Sequence, residues 1–196
     1  MDDKKFNLLD EPWICVMKEN GEVKELSLMD VLLHAHQYRR LAGELPTQDV
    51  AVLRLLLAVL QTVVYRYDTD GNEDELVETE DAYERWKEIW NDGKLPDKPI
   101  QEYLTKWKAR FYLYDSDRPF YQVPKAAIGT ECKAAKLNGE ISESSNKLRL
   151  FSNRAGKEKE FLSNSEAARW LLYLNGYDDT SAKPKEKGLP SPGTGW

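Results

Sequence analysis

The twelve residues from Leu148 to Lys159 bring together Arg149, Phe151, Asn153, Arg154, Lys157 and Lys159. A ring, an amide and several cations in one loop can stack on a base, hydrogen-bond its edge and neutralise phosphates. A solvated polar loop, with Lys157-Glu158-Lys159-Glu160 cancelling one another, accounts for the same residues more plainly. Asp115 and Asp117 could form a carboxylate pair for acid–base or metal chemistry. With His34 or His36 they would suit a cytoplasmic metal-dependent hydrolase, whereas turn formation by Asp beside Arg118 explains them without chemistry. Asp68-Thr69-Asp70-Gly71-Asn72 fails as a calcium loop because its glycine stands at position 4 instead of 6. His34 and His36 point about 200° apart on a helix and cannot share an ion from one face. Cys15 needs a partnered base to act as a nucleophile and reads as a small buried hydrophobe. Phosphate-cradling glycine loops and a nucleophile elbow are absent from the sequence, and no cofactor or metal site is expected.

The elements that must position these residues are written in the spacing. Phe6 to Met17 and Val23 to Leu28, joined across Glu19-Asn20-Gly21-Glu22, predict a β-hairpin. Ser27-Leu28-Met29-Asp30 resembles a capping box, and Val31, Leu32, Ala35, Tyr38 and Ala42 predict a first helix running to Gly43. A second begins at Pro46-Thr47 and is apolar around nearly its whole circumference through Val64, which predicts burial on most sides. Ala82, Tyr83, Trp86, Ile89 and Trp90 make the apolar stripe of a third helix, expected to serve the core first and an interface second and to end at Asn91-Asp92-Gly93. A fourth follows Pro99. Phe111–Tyr114 and Phe120–Val123 look like strands, and 129–147 a mobile connection or weak strands. Ser163-x-x-Glu166 opens a last helix, which Asn175-Gly176 is expected to close. The fold class expected is α+β and mainly helical, an N-terminal hairpin and short strands packed on several helices around the buried Leu/Val-rich one.

At 196 residues with 41% hydrophobic and 11% aromatic side chains, the chain can build a core, and composition excludes disordered and collagenous classes. The net charge of −6 excludes a polycation that coats nucleic acid, so any such contact is local. Residues 68–92 hold eleven acids against Arg85 and Lys87, whereas residues 142–196 carry nine basic and seven acidic side chains, net +2. Two cysteines without CxxC spacing suggest neither disulfide framework nor zinc. The charged N-terminus has no signal-peptide pattern, and the apolar run Val50–Tyr65 falls short of a membrane span, so a cytoplasmic location without membrane contact is expected.

Phe6-Asn7-Leu8-Leu9-Asp10-Glu11-Pro12-Trp13-Ile14-Cys15-Val16, then Leu26-Ser27-Leu28 and the Leu- and Val-rich helix, resemble the start of the CasA-type large subunit of the type I-E CRISPR complex Cascade. The likeness continues through Asp117-Arg118-Pro119-Phe120-Tyr121-Gln122, Leu150-Phe151-Ser152-Asn153, Asn175-Gly176-Tyr177 and Pro192-Gly193-Thr194-Gly195-Trp196. It implies a mixed α/β N-terminal domain over residues 1–196, with the family's helical bundle, lysine finger and glutamine wedge beyond Trp196, and 177–196 a flexible loop or truncated end.

The resemblance further implies a subunit without catalytic activity, seated at the crRNA 5′ handle. Such a subunit reads the PAM of double-stranded target DNA, helps open the duplex, and recruits a helicase-nuclease. Its partners would be the other Cascade subunits, crRNA, target DNA and that nuclease. The loop beginning Phe151-Ser152-Asn153-Arg154 matches the family's anchor near the handle and PAM. The glycine-rich loop that approaches the PAM minor groove maps to Gly176–Lys185, placing Thr180, Ser181, Lys183 and Lys185 there. This chain has Tyr177-Asp178-Asp179-Thr180-Ser181-Ala182-Lys183 where the family has several glycines; Thr180 or Ser181 would approach the groove, and Asp178 and Asp179 would repel phosphate.

Overall fold

A computed structural model describes residues 4–124, 133–138 and 154–177. The opening segment builds the centre of the N-terminal half. β1 (Lys5–Asn7) pairs antiparallel with β5 (Tyr112–Tyr114), in register Lys5 to Tyr114. The Asn7 side chain then folds the chain back, its Oδ1 accepting the Leu9 N–H at 3.0 Å and its Nδ2 donating to the Lys108 carbonyl at 3.1 Å. That turn delivers Leu8, Leu9 and Trp13 into the core, where the Trp13 indole N–H donates to the Leu8 carbonyl at 2.9 Å. An indole so deep is tolerated because its one polar atom is satisfied.

The expected hairpin is β2 (Ile14–Met17) with β3 (Val23–Leu26), Ile14 opposite Leu26. Ser27 caps α1 (Leu28–Leu33), its hydroxyl accepting the Asp30 N–H at 3.1 Å. Here the structure departs from the helical spacing: α1 stops at Leu33, a 3-10 turn covers Ala35–Gln37, and Arg40–Leu41 form β4 on the free edge of β2. An unpaired edge beside a buried strand outcompetes the weak helical pattern of residues 35–42, because pairing satisfies backbone groups that a frayed helix end would leave open.

The central helix α2 (Pro46–Arg66) is five residues longer than the apolar run read from the sequence. It is long and apolar enough to cross a membrane, but Val52, Leu55, Leu56, Val59, Val63 and Val64 pack into the chain's own core. It contacts α4 (Asp97–Trp107) and α6 (Asn164–Tyr177). Burial is one-sided, contrary to the expectation from its composition: Val50, Leu53 and Leu57 stay more than 40% exposed. Among the described residues nothing covers that flank.

The aromatic stripe of α3 (Thr79–Asp92) is the larger correction. The helix ends as expected at Gly93, whose φ of 68° is a left-handed cap that suits glycine. It buries Ile89 and Arg85, while Tyr83, Trp86 and Trp90 face outward. Arg85 sets the rotation: its guanidinium donates to the Val64 and Asp74 carbonyls, each at 2.8 Å, and pairs with the Asp74 carboxylate. Turning the aromatics inward would strip three partners from a charge that cannot be given up.

Phe120–Val123 is a turn, not a strand. Tyr121 takes φ 54°, and the Gln122 side-chain amide, not a partner strand, donates to the Leu113 carbonyl at 2.8 Å. Within the stretch read as a connection or weak strands, Ala134–Leu137 form a short helix, α5. α6 runs through Asn175-Gly176 to Tyr177 instead of closing there.

Candidate nucleic-acid interface

The described part of the candidate loop converges on one arginine. Arg154 is nearly buried, and its Nη2 lies 2.7 and 2.8 Å from the two Glu44 carboxylate oxygens and 2.8 Å from Glu166 Oε1. Glu44 also accepts the Trp170 indole N–H at 3.1 Å. The sequence shows how Glu44 is held. Gly43 and Glu44 present backbone N–H groups to the first turn of α2, which receives them on Asp49 Oδ1 at 2.7 Å and Gln48 Oε1 at 3.2 Å. A Cβ at Gly43 would stand 2.7 Å from Asp49 Oδ1 and 2.8 Å from Gln48 Oε1, so a side chain there would push both acceptors from these positions.

Glu166 is placed by the expected capping box. Its carboxylate accepts the Ser163 N–H at 2.7 Å while its own N–H donates to Ser163 Oγ at 3.2 Å. Burial disfavours its charge, but the Ser163 hydrogen bonds and the Arg154 guanidinium outweigh burial and hold its carboxyl below the usual glutamate value. Arg154 in turn is raised above the ordinary arginine value, Glu44 and Glu166 overcoming the cost of burial. The guanidinium therefore serves as an anchor between Glu44 and Glu166, tying the residues before α2 to the start of α6.

One turn further along α6, Arg169 ties the helix to the hairpin sheet. Its Nη1 donates to the Trp13 carbonyl and to Glu25 Oε1, both at 2.6 Å. The Cys15 thiol donates to the same Glu25 oxygen at 3.7 Å, and burial above all pushes that thiol up to about 11, leaving it protonated and no nucleophile. Glu44, Arg154, Glu166 and Arg169 line an open cleft of about 670 Å³, with the exposed Phe161 at its wall.

Of the residues singled out from the sequence, Arg154 and Gly176 are described, at opposite ends of α6. Fourteen residues at 1.5 Å each set the ends of that helix about 20 Å apart. A Cβ at Gly176 would meet Arg54 Nη1 at 3.7 Å, an ordinary contact, so the helix does not demand glycine there. Phe151, Ser152, Asn153, Thr180, Ser181, Lys183 and Lys185 lie outside the described residues. Glu44, Trp170 and Arg169 were not legible as site residues. Arg169, a cation between Ala168 and Trp170 on a buried helix face, was the one visible signal.

The alternative carboxylates form the turn that Asp predicts. Asp115 Oδ1 accepts the N–H groups of Asp117 at 2.9 Å and Arg118 at 3.2 Å, which lowers its pKa, and Asp117 pairs with Arg118 at 3.1 Å. His34 Nδ1 lies 3.0 Å from the Asp30 carbonyl oxygen. Asp68 closes its loop by accepting from Asn72, at 2.7 Å from the backbone N–H. Among the described residues no three His, Cys, Asp or Glu side chains gather as a metal site.

The family described as CRISPR-associated protein Cse1 matches residues 7–196. A CasA/Cse1 protein of Thermus thermophilus is 33% identical over 169 residues, covering 86% of this chain and 31% of the relative. The crystal structure of Cse1 from Thermobifida fusca is similar with TM-score 0.73 at 33% identity, over 95% of this chain and 34% of that one. A subunit of a CRISPR RNA-guided surveillance complex in a pre-nicking state shares the fold at TM-score 0.67 and 20% identity, over 87% of this chain and 34% of that one. The chain spans about a third of the length of these relatives.

Proposed function

The chain belongs to the CRISPR-associated Cse1 family, and from that premise we propose that it acts as the large subunit of a type I-E surveillance complex in the cytoplasm, without catalysis of its own. In this role it docks against crRNA near the 5′ handle, contacts the PAM of target double-stranded DNA, and helps recruit the helicase-nuclease. The observation that carries the reading is a family match over residues 7–196, a range that includes both candidate loops. Arg154 supports it, because a guanidinium clamped between Glu44 and Glu166 fixes the residue that follows Phe151-Ser152-Asn153 in sequence. Charge supports it as well: the acids of 68–92 lie on other elements than the segment after residue 142, where cations are in surplus.

The test is reconstitution. Cascade lacking its large subunit is assembled with this chain or with a full-length relative and titrated with a PAM-bearing duplex across a salt series. Docking of this chain, with PAM-dependent binding restored by the full-length relative, is the expected result; failure of this chain to dock overturns the reading. Phe151→Ala and Asn153→Ala are expected to weaken docking or target binding at unchanged melting temperature, and an equal loss of melting temperature would make both residues structural.

A further inference from the structure

The outward flank of α3 has the composition of an interface centre. Trp90 is 84% exposed, Tyr83 67% and Trp86 45%. Large aromatics are the usual anchors of protein interfaces, and contiguous exposed ones mark binding surfaces. Trp86 stands as a ridge between two clefts. One, of about 440 Å³, has Trp90, His36 and Leu95 in its walls; the other, of about 590 Å³, has Tyr65 and Leu76.

Beside the aromatics, Glu80, Glu84 and Glu88 recur every fourth residue and are all exposed, so they form an acidic edge along the same helix. Of the cations nearby, Arg66 is exposed in the wall of the second cleft, and three others are engaged. Arg85 is buried on Asp74 and two carbonyls, Lys87 pairs with Glu84 at 3.3 Å, and Lys94 pairs with Asp97 at 2.7 Å. The face is thus apolar rings bordered by excess negative charge. The molecule itself supplies an example of what such a face receives, since Lys87 Nζ lies 6.0 Å from the centre of the Tyr83 ring.

We infer that the Tyr83–Trp86–Trp90 flank of α3 is a docking surface for a lysine- and arginine-rich amphipathic helix of another protein. The apolar side chains of that helix enter the clefts on either side of Trp86, and its cations meet Glu80, Glu84 and Glu88. Charge complementarity commits the occupant: nucleic acid is repelled by this edge, and a second copy of a chain of net charge −6 would bring acid to acid. The inference stands apart from the nucleic-acid reading, which uses the other end of the sequence.

The full chain is titrated by calorimetry with two synthetic helical peptides of identical apolar face, one carrying Lys and Arg on its polar face and one carrying Glu. Only the cationic peptide is expected to bind, more weakly as salt rises. Trp90→Ser and the double variant Glu84→Lys/Glu88→Lys are each expected to weaken it at least tenfold. The control Glu11→Lys/Glu19→Lys, an equal change of net charge at exposed positions elsewhere, is expected to stay within twofold of wild type. Absence of binding, equal binding of the acidic peptide, or an equal loss in the control overturns the inference. Self-association of the wild-type chain that Trp90→Ser abolishes overturns it in favour of a second copy.

Discussion

The N-terminal end of α6 and the outward face of α3 spend opposite kinds of side chain. At α6 the charges are inside: Arg154 and Arg169 are drawn off the surface onto Glu44, Glu166, Glu25 and the Trp13 carbonyl. At α3 the rings are outside, and the one buried charge, Arg85, is what turns them there. In both regions an arginine bonded to backbone or carboxylate fixes the orientation of an element. What differs is what the fixed element then offers to a partner. The difference shows that residue type alone does not tell a contact residue from a positioning one, since the arginine of a basic loop works inward and the apolar stripe of a helix works outward.

The sharpest way to break that contrast is to remove Glu44. Glu44→Ala takes one of two carboxylates from the largely buried Arg154 and the acceptor from the Trp170 indole, and a loss of about 2–3 kcal/mol in unfolding free energy is expected from denaturant titration. A loss under half a kcal/mol would mean that Glu44 does not hold Arg154 in place. Acid should loosen the same region. Because Glu166 titrates below its unfolded value of 4.5, its contribution is present at neutral pH and is lost as pH falls through the folded value. The melting temperature of the wild type should therefore decline on the acid side below about pH 4.5, and Glu166→Gln should flatten that decline. Ser163→Ala removes the cap that both Glu166 and α6 use and is expected to cost about 1 kcal/mol by the same titration. The smallest effect belongs to the other region. Trp90→Ser should leave stability within about 0.5 kcal/mol of wild type, and a loss of 2 kcal/mol would show that the α3 aromatics are packed after all.

Much of the fold could be read from local pattern. The hairpin across Asn20-Gly21, the cap at Ser27, the start of α2 at Pro46, the end of α3 at Gly93 and the capping box at Ser163 all depend on a few neighbouring residues, and all are found. The site was legible only in part. Arg154 was marked by its neighbours Phe151 and Asn153, but its partner Glu44 lies 110 residues away in sequence, and no spacing rule connects the two.

What the sequence determined by itself were the hairpin, the main helices, the caps at Ser27, Gly93 and Ser163, the uneven distribution of charge and a family signature in the Phe6–Val16 and Arg118–Gln122 segments. What only the tertiary structure decided was which side of each element faces in. β4 replaced the end of a helix because β2 had an edge to fill. α2 kept Leu53 and Leu57 exposed because it is covered on one side. α3 turned its tryptophans outward because Arg85 needs the Val64 and Asp74 carbonyls. Periodicity records that a helix has an apolar stripe, but a buried guanidinium with three partners outweighs the burial of partly exposed rings, and that balance exists only once distant backbone groups have been brought together.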